Sequence, residues 1–358
     1  MNLTDLFSPQ AVSVAFTENP SNKQPFFGAG LFPERKKAGL DLSWIKGTHG
    51  LPISLKPSNF DAKATFRDRV GVSKIESEMP FFREGYHINE NDRQEILKAQ
   101  DSGSPFVQTV LDNIYNDVNG LVTGAYVVPE RMRMQLLAPD SGNVGIHISA
   151  NGVDYSYNYD PDGSWKASNY VPIADATKKW NVSDTATPIT DIEAVQDTIE
   201  DATGSRPNTA IMSRATFNML MASKQVHDAV LARNPTANVF ITPSIVKQAF
   251  AQILGVDIVV YTKKFRDESK AIHAYYPDNY VTLFDSEVTL GSTYYGTTPE
   301  EADLMGKSTP QARTSVVGTG VAITQILEPH PVNLETIVSE IVLPSYEGMN
   351  TVGVLKVA

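Results

Sequence analysis

One stretch limits the possible folds more than any other. Between Val107 and Leu136 the apolar residues Val107, Val110, Leu111, Ile114, Val118, Leu121, Val122, Ala125, Val128, Met132 and Leu136 recur at helical spacing. That is a single apolar stripe sustained for many turns, the pattern of an amphipathic helix. Ser104 supplies an N-cap, and Pro105 sits at the first helical position, where its missing N–H costs nothing. At 1.5 Å per residue a helix reaching Leu137 is roughly 50 Å long. Gly120, Gly124 and Pro129 interrupt good helix formers, which predicts a bend near Pro129. A compact enzyme domain seldom needs such a rod. An elongated plate does.

The flanking segments are equally unlike a compact enzyme. Pro9, Pro20, Pro25, Gly28 and Gly30 punctuate residues 1–30, which read as an extended arm with no lasting helical period. Leu40, Leu42 and Trp44 then alternate with polar residues, as do Ala64, Phe66 and Asp68, and together they predict a long two-stranded excursion. It holds too few large apolar residues to form a core of its own. After the long helix, Val144, Ile146 and Ile148 alternate up to Asn151-Gly152, a tight primed turn, and Val153, Tyr155, Tyr157 and Tyr159 return from it. A polar run from Asp160 to Asp184 reads as a boundary. Beyond it the texture is α/β, with helices at Pro188–Thr203, Arg214–Ala222, Val226–Arg233 and Pro243–Leu254. Strands are expected at Thr209–Met212, Val256–Thr262, Ala271–Tyr276 and Tyr280–Phe284, and further strands fill the last forty residues.

Charge and composition narrow the functional classes. The 358 residues carry a formal charge of -11, which argues against a protein that coats nucleic acid. Between Leu31 and Lys74, however, Arg35, Lys36, Lys37, Lys46, Lys56, Lys63, Arg67, Arg69 and Lys74 outnumber Glu34, Asp41, Asp61 and Asp68. A basic segment on an acidic body can steer and register association with other copies. Cysteine is absent, which removes disulfides, thiolate metal sites and a cysteine nucleophile together. No signal peptide or membrane-spanning run is apparent, and a cytosolic product is the natural reading.

The search for chemistry is negative. His49, His87, His147, His227, His273 and His330 form no pair with metal-ligand spacing. There is no nucleophile elbow and no P-loop. Gly28-x-Gly30 and Gly318-x-Gly320 read as turns or strand kinks. Asp160-x-Asp162-Gly163 begins like a calcium loop but lacks the later ligands. Asp191, Glu193, Asp197, Glu200 and Asp201 read as a solvated helix face favoured by the macrodipole. No catalytic residue, metal site or cofactor is expected.

The ordered segments resemble the major capsid proteins of tailed bacteriophages, specifically the lambda-type capsid protein E family. Pro25-Phe26-Phe27 with Leu31-Phe32-Pro33-Glu34-Arg35 is similar to the family's passage from arm to loop. Trp180 followed by Thr187-Pro188-Ile189-Thr190-Asp191-Ile192 resembles its entry into the axial domain. Glu200-Asp201-Ala202-Thr203-Gly204 with Pro207 looks like the next helix end and strand. Pro277-Asp278-Asn279, Val288-Thr289-Leu290-Gly291 and Tyr295-Gly296 are similar to its late strand and turn. Each motif is short, and their shared order over most of the chain makes the likeness specific.

The resemblance implies an α+β, HK97-like capsid fold. Its parts would be an N-terminal arm (1–38), an extended loop (39–85), a peripheral domain with long helix and hairpin (86–184), an axial domain (185–312) and returning strands (313–358). It also implies hexamers and pentamers of an icosahedral virion shell enclosing double-stranded DNA, assembled in the bacterial cytoplasm. A separate scaffolding protein, a portal and a decoration protein are the implied partners beside the chain itself, with no membrane. Lys63, Arg67 and Arg69 are the residues expected to meet acids of an adjacent subunit. Two alternatives stay open at this point. An encapsulin-type nanocompartment would share the fold, and an α/β enzyme built on residues 187–300 would need an active site that the sequence does not display.

Overall fold

The computed structural model describes residues 8–18, 26–46, 73–88, 94, 106–150, 152–232, 241–267, 269–305, 312–329 and 332–358. In chain order the strands are β1 (Glu34–Lys36), β2 (Asp41–Lys46), β3 (Ser73–Glu78), β4 (Phe81–Ile88), β5 (Gly145–Ala150), β6 (Val153–Asn158), β7 (Tyr170–Pro172), β8 (Thr209–Met212) and β9 (Asp257–Val260). They continue with β10 (Lys264–Arg266), β11 (Ile272–Ala274), β12 (Tyr280–Phe284), β13 (Thr293–Tyr295), β14 (Ala312–Val317), β15 (Val321–Pro329), β16 (Val332–Pro344) and β17 (Gly353–Lys356). The chain divides into two compact units. One comprises Met1–Leu42, Ser77–Met132 and Ser292–Ser345, the other Ser43–Glu76, Arg133–Gly291 and Tyr346–Ala358.

The first unit is organised by β16. Its residues 334–341 pair antiparallel with β4 and residues 342–344 with β13, while 332–339 pair with β15 on the opposite side. The strand order is β1-β13-β16-β15-β14, with β4 beside β13 along β16. Thr314 and Thr324 face each other across β14 and β15 and share a buried hydroxyl hydrogen bond of 3.0 Å. The arm departs from its sequence reading, because Pro9–Glu18 is a helix packed on β14 and β15. Ser8 accepts from the amide of Ala11, Pro9 occupies the first helical position, and Val12 and Phe16 are buried one turn apart. Gly28 and Gly30 also lie in a short helix, Phe27–Leu31, rather than in a turn. Gly318 does mark a turn, with φ +58 between β14 and β15.

The long helix is present as Phe106–Leu137, with Pro129 inside it. Ser104 and Pro105 fall outside the described residues. Its stripe is buried at Val118, Leu121, Val122, Ala125, Met132 and Leu136. From Pro129 onward burial spreads around the whole cylinder, for Glu130, Arg133, Met134 and Leu137 are buried as well. A mid-helix proline costs about 3 kcal/mol, and several buried side chains at roughly 1.5–3 kcal/mol each outweigh it.

The second unit holds the five-stranded sheet β7-β17-β12-β8-β9. Helices Pro188–Thr203, Arg214–Ala222, Lys224–Ala232 and Pro243–Ile253 accompany it, close to the predicted limits. Pro188 stands in the first turn, and Gly204, at φ +74, ends the first helix in the left-handed region by donating to the Glu200 carbonyl. β8 and β12 are buried throughout. The hairpin β5–β6 forms as expected, with Gly152 at φ +79 in its turn.

The polar run 160–184 is itself folded, with a short helix at Ser164–Asn169 and strand β7. Asp160 accepts from the amides of Trp165 and Lys166 and so caps helix Ser164–Asn169, which explains the partial calcium-like motif. Trp165, 1% exposed, donates to the Met349 carbonyl at 2.7 Å. Trp180 donates to Asp191 at 2.8 Å, and β7 adds in parallel to β17. Burial holds the Asp191 carboxyl above its ordinary range, opposed by the hydrogen bonds from Trp180 and Thr187.

Helix Pro188–Thr203 approaches β17 so closely that Gly353 is required there. A Cβ at 353 would lie 2.5 Å from Val195 Cγ1 and 3.2 Å from Ile199 Cγ1. Gly353→Ala is therefore expected to destabilise the chain by about 1–3 kcal/mol through overpacking. The readout is a lower urea midpoint at unchanged slope, and an unchanged midpoint would refute the close approach.

Candidate assembly surfaces

The first unit holds its N-terminal segment against the body through a series of polar contacts. Glu130, fully buried on the long helix, accepts from the Gly28 amide at 3.1 Å. Next along the arm, the Phe32 and Pro33 carbonyls accept from the Thr293 hydroxyl and amide at 3.0 and 2.9 Å. β1 then pairs in parallel with β13. Glu34 accepts from Thr319 at 2.8 Å and from the Tyr295 phenol at 3.4 Å. Lys36 bonds Glu301 and, at 3.0 Å, the Gly296 carbonyl. Phe16 stacks on Tyr126 of the long helix at 5.8 Å between ring centroids. Burial, with Glu34 and Glu340 nearby, pushes the Tyr126 phenol up to about 12, so it stays neutral throughout the physiological range.

The same unit ties its outer strand to a short helix. Arg83 on β4 and Ser339 on β16 stand opposite one another in register, and both bond Glu300 of helix Pro299–Leu304. The Arg83 guanidinium also lies 4.8 Å from the Phe81 ring centroid, two residues back on the same face of the strand. Because Glu300 is nearly buried, this pair is screened less than a surface bridge.

The second unit presents a small exposed hairpin, β10–β11, just after β9. Asp267 folds its turn by accepting from Ser269, Ala271 and His273. Those bonds, the Ser269 contribution largest, hold its carboxyl down at about 2. Only the Ala271–Tyr276 strand of this hairpin is read from the sequence; β10 is missed. Lys63, Arg67 and Arg69 lie outside the described residues. The anchors Glu34, Lys36, Glu130, Glu300 and Glu301 are also missed. Lys36 and Glu301 stand 265 positions apart, and no sequence period links such a pair.

The arm-to-body pairing, the long helix and the two mixed units give the geometry that the comparisons with known proteins test. The family model described as phage major capsid protein E matches residues 8–351. The chain belongs to that family. It therefore belongs among structural shell proteins of a virion, which build from copies of themselves, and a tailed-phage head is favoured over a nanocompartment.

Solved structures agree in fold. A prophage protein of E. coli CFT073 described as a capsid protein is 15% identical with TM-score 0.59, covering 100% of this chain and 99% of that one. A chain of the cyanophage A-1(L) capsid asymmetric unit is 11% identical with TM-score 0.53, at 100% and 98% coverage. A phage-related protein of Bordetella bronchiseptica RB50 is 15% identical with TM-score 0.52, at 97% and 96% coverage. No curated protein matches the sequence. The fold is HK97-like, as the resemblance implied.

The capsid motifs now have physical roles. Glu34 and Arg35 pair with Thr293 and Tyr294 in one sheet, and the Phe32 carbonyl just before them accepts from the Thr293 hydroxyl. Trp180 and Asp191 are hydrogen-bonded. Asp278 accepts from Ser213 while the amide of Asn279, at φ +68, donates to Thr216 at 2.9 Å, so this turn clamps the start of helix Arg214–Ala222. Gly296 abuts Ile341, where a Cβ would lie at 2.6 Å.

Glu130→Ala is expected to leave the buried Gly28 amide without its carboxylate, at a cost of about 1–3 kcal/mol. Hydrogen exchange of residues 26–33 should accelerate well beyond that of β12. Unchanged protection of that segment would reject the anchor.

Proposed function

We propose that this capsid-family chain assembles into hexamers and pentamers of an icosahedral head, in the cytoplasm of a bacterial host, and encloses double-stranded DNA. The observation that carries this reading is the family match from residue 8 to residue 351. The arm, loop, peripheral, axial and returning segments keep the limits 1–38, 39–85, 86–184, 185–312 and 313–358 as a proposed division of labour in the shell. The role is mechanical rather than catalytic and calls for no cofactor. A scaffolding protein, a portal and a decoration protein are the proposed partners. The acidic balance suits a container for DNA, since an inner wall that gripped phosphate strongly would hinder packing. Lys63, Arg67 and Arg69 are proposed to meet acids of an adjacent subunit.

The test is expression of the full chain, alone and with a scaffolding protein encoded beside it, followed by gradient sedimentation and electron microscopy. Closed particles of uniform size are expected, and a small oligomer indifferent to concentration would overturn the reading. Reversing Lys63, Arg67 and Arg69 to Glu should abolish the closed particles while leaving the monomer folded. Normal shells from that variant would reject the role of these three residues.

A further inference from the structure

The second unit carries two exposed faces of opposite charge whose spacings match. On the hairpin, Lys264 pairs with Ala274, Phe265 with His273 and Arg266 with Ile272. Strand alternation puts Lys264, Arg266, Ile272 and Ala274 on one face. Phe265 turns to the other side, where its ring lies 4.8 Å from that of Tyr275 and 5.7 Å from that of His273. The Lys264 face is solvent-exposed, and Ile272 on it is 63% exposed. Two cations flanking a bare apolar side chain make a surface that water solvates poorly at its centre and well at its rim, the anatomy of a protein contact.

On helix Pro188–Thr203 the acids Glu193, Asp197 and Asp201 recur every fourth residue and are exposed, and the helix contains no Lys or Arg. Beside them Ala194, Thr198 and Ala202 form a parallel exposed row of small residues. Residues four apart on a helix stand about 6 Å apart along its axis. Alternate residues of a strand stand about 6.6–6.8 Å apart. Lys264 and Arg266 can therefore meet two successive acids while Ile272 lies on the small row.

Among the described residues Lys264 and Arg266 form no ion pair with the acidic row of their own chain. β8 and β9 run parallel. Gln196, midway along the helix, donates to the carbonyls of Pro207 and Leu254, which precede β8 and β9. The hairpin follows the far end of β9. The C-terminal half of the acidic row and the basic face thus lie toward opposite ends of the same two strands.

We propose that the Lys264–Arg266–Ile272 face of one copy docks on the Glu193–Asp197–Asp201 face of a second copy. The contact is head to tail, and such a contact closes into a ring when its rotation permits. This rests on the shell reading above and names a contact within it. Arg206 bridges Asp197 and Glu200 within one chain, so one incoming cation shares the exposed Asp197 with Arg206 while the other meets Glu193 or Asp201, one helical step to either side of it.

The test uses three full-length variants beside the wild type: K264E/R266E, E193K/D201K and all four changes together. Each is checked for its fold by circular dichroism and for particles by sedimentation and microscopy. Like charges face each other in either double variant, so particle yield should fall by about tenfold or more. The fourfold variant restores opposite charges and should recover particles. Wild-type assembly should also weaken at high salt, where the screening length falls to about 3 Å at 1 M. Normal yields from both double variants, or a folded fourfold variant that fails to recover, would overturn this contact and leave the shell reading intact. A wild type that forms no particles under any condition would overturn both.

Discussion

The fold depends on β16 being long enough to serve several masters at once. Thirteen residues of strand give it room to pair with β15 on one side and with β4 and β13, end to end, on the other. Segments from near residue 85, residue 294 and residue 325 are thereby fixed in one register. A one-residue slip along β16 would invert the inward and outward faces of every partner at once. Pairing on both sides makes such a slip costly. The arm then exploits the fixed edge, because β1 can dock only where β13 has already been placed.

That dependence changes the meaning of the arm. A segment punctuated by prolines and glycines suggests a strand of chain waiting for a neighbour. Residues 8–18 and 26–36 instead satisfy their polar groups within their own unit, through Ser8, Glu130, Thr293, Thr319 and Glu301. Ordering entropy of roughly 1–2 kcal/mol per residue is then met on folding rather than on association. Copies that meet with these segments already ordered lose less freedom in the encounter, so weaker surface contacts suffice to hold them.

Legibility followed the range of the signal. Helix Pro188–Thr203 was readable because proline at its start and Gly204 at its end act within a turn of their own position. The hairpin β5–β6 was readable because Asn151-Gly152 and strict alternation are local too. The arm helix carries the same Ser-Pro signal as the long helix, at Ser8-Pro9, but Pro20 and Pro25 close behind it give the segment the pattern of irregular chain. β10 is three residues with two cations, too short and too charged to look like a strand. The buried end of the long helix was hidden because Glu130 and Arg133 are charged residues in an interior position, and only tertiary partners explain them. Pairs such as Arg83 with Glu300 join residues over two hundred positions apart, and no window of sequence can contain them. Composition alone points to the loop cations Lys63, Arg67 and Arg69, which lie outside the residues that the structure describes.

Segregation of charge follows a different logic from total charge. A chain at -11 repels its own copies at long range, which suppresses indiscriminate clumping in solution. Within a Debye length of about 8–10 Å in physiological salt, local patterns override that net repulsion. A basic strand face and an acidic helix face on the same unit convert the repulsion into a filter, because only the approach that brings opposite rows together is attractive. Such contacts are individually weak, so a misplaced copy can leave again before the lattice closes around it. An apolar interface of equal size would be slower to release errors. For a closed shell built from many identical pieces, reversibility in each contact is worth more than strength in any one of them, since strength accumulates with the number of neighbours.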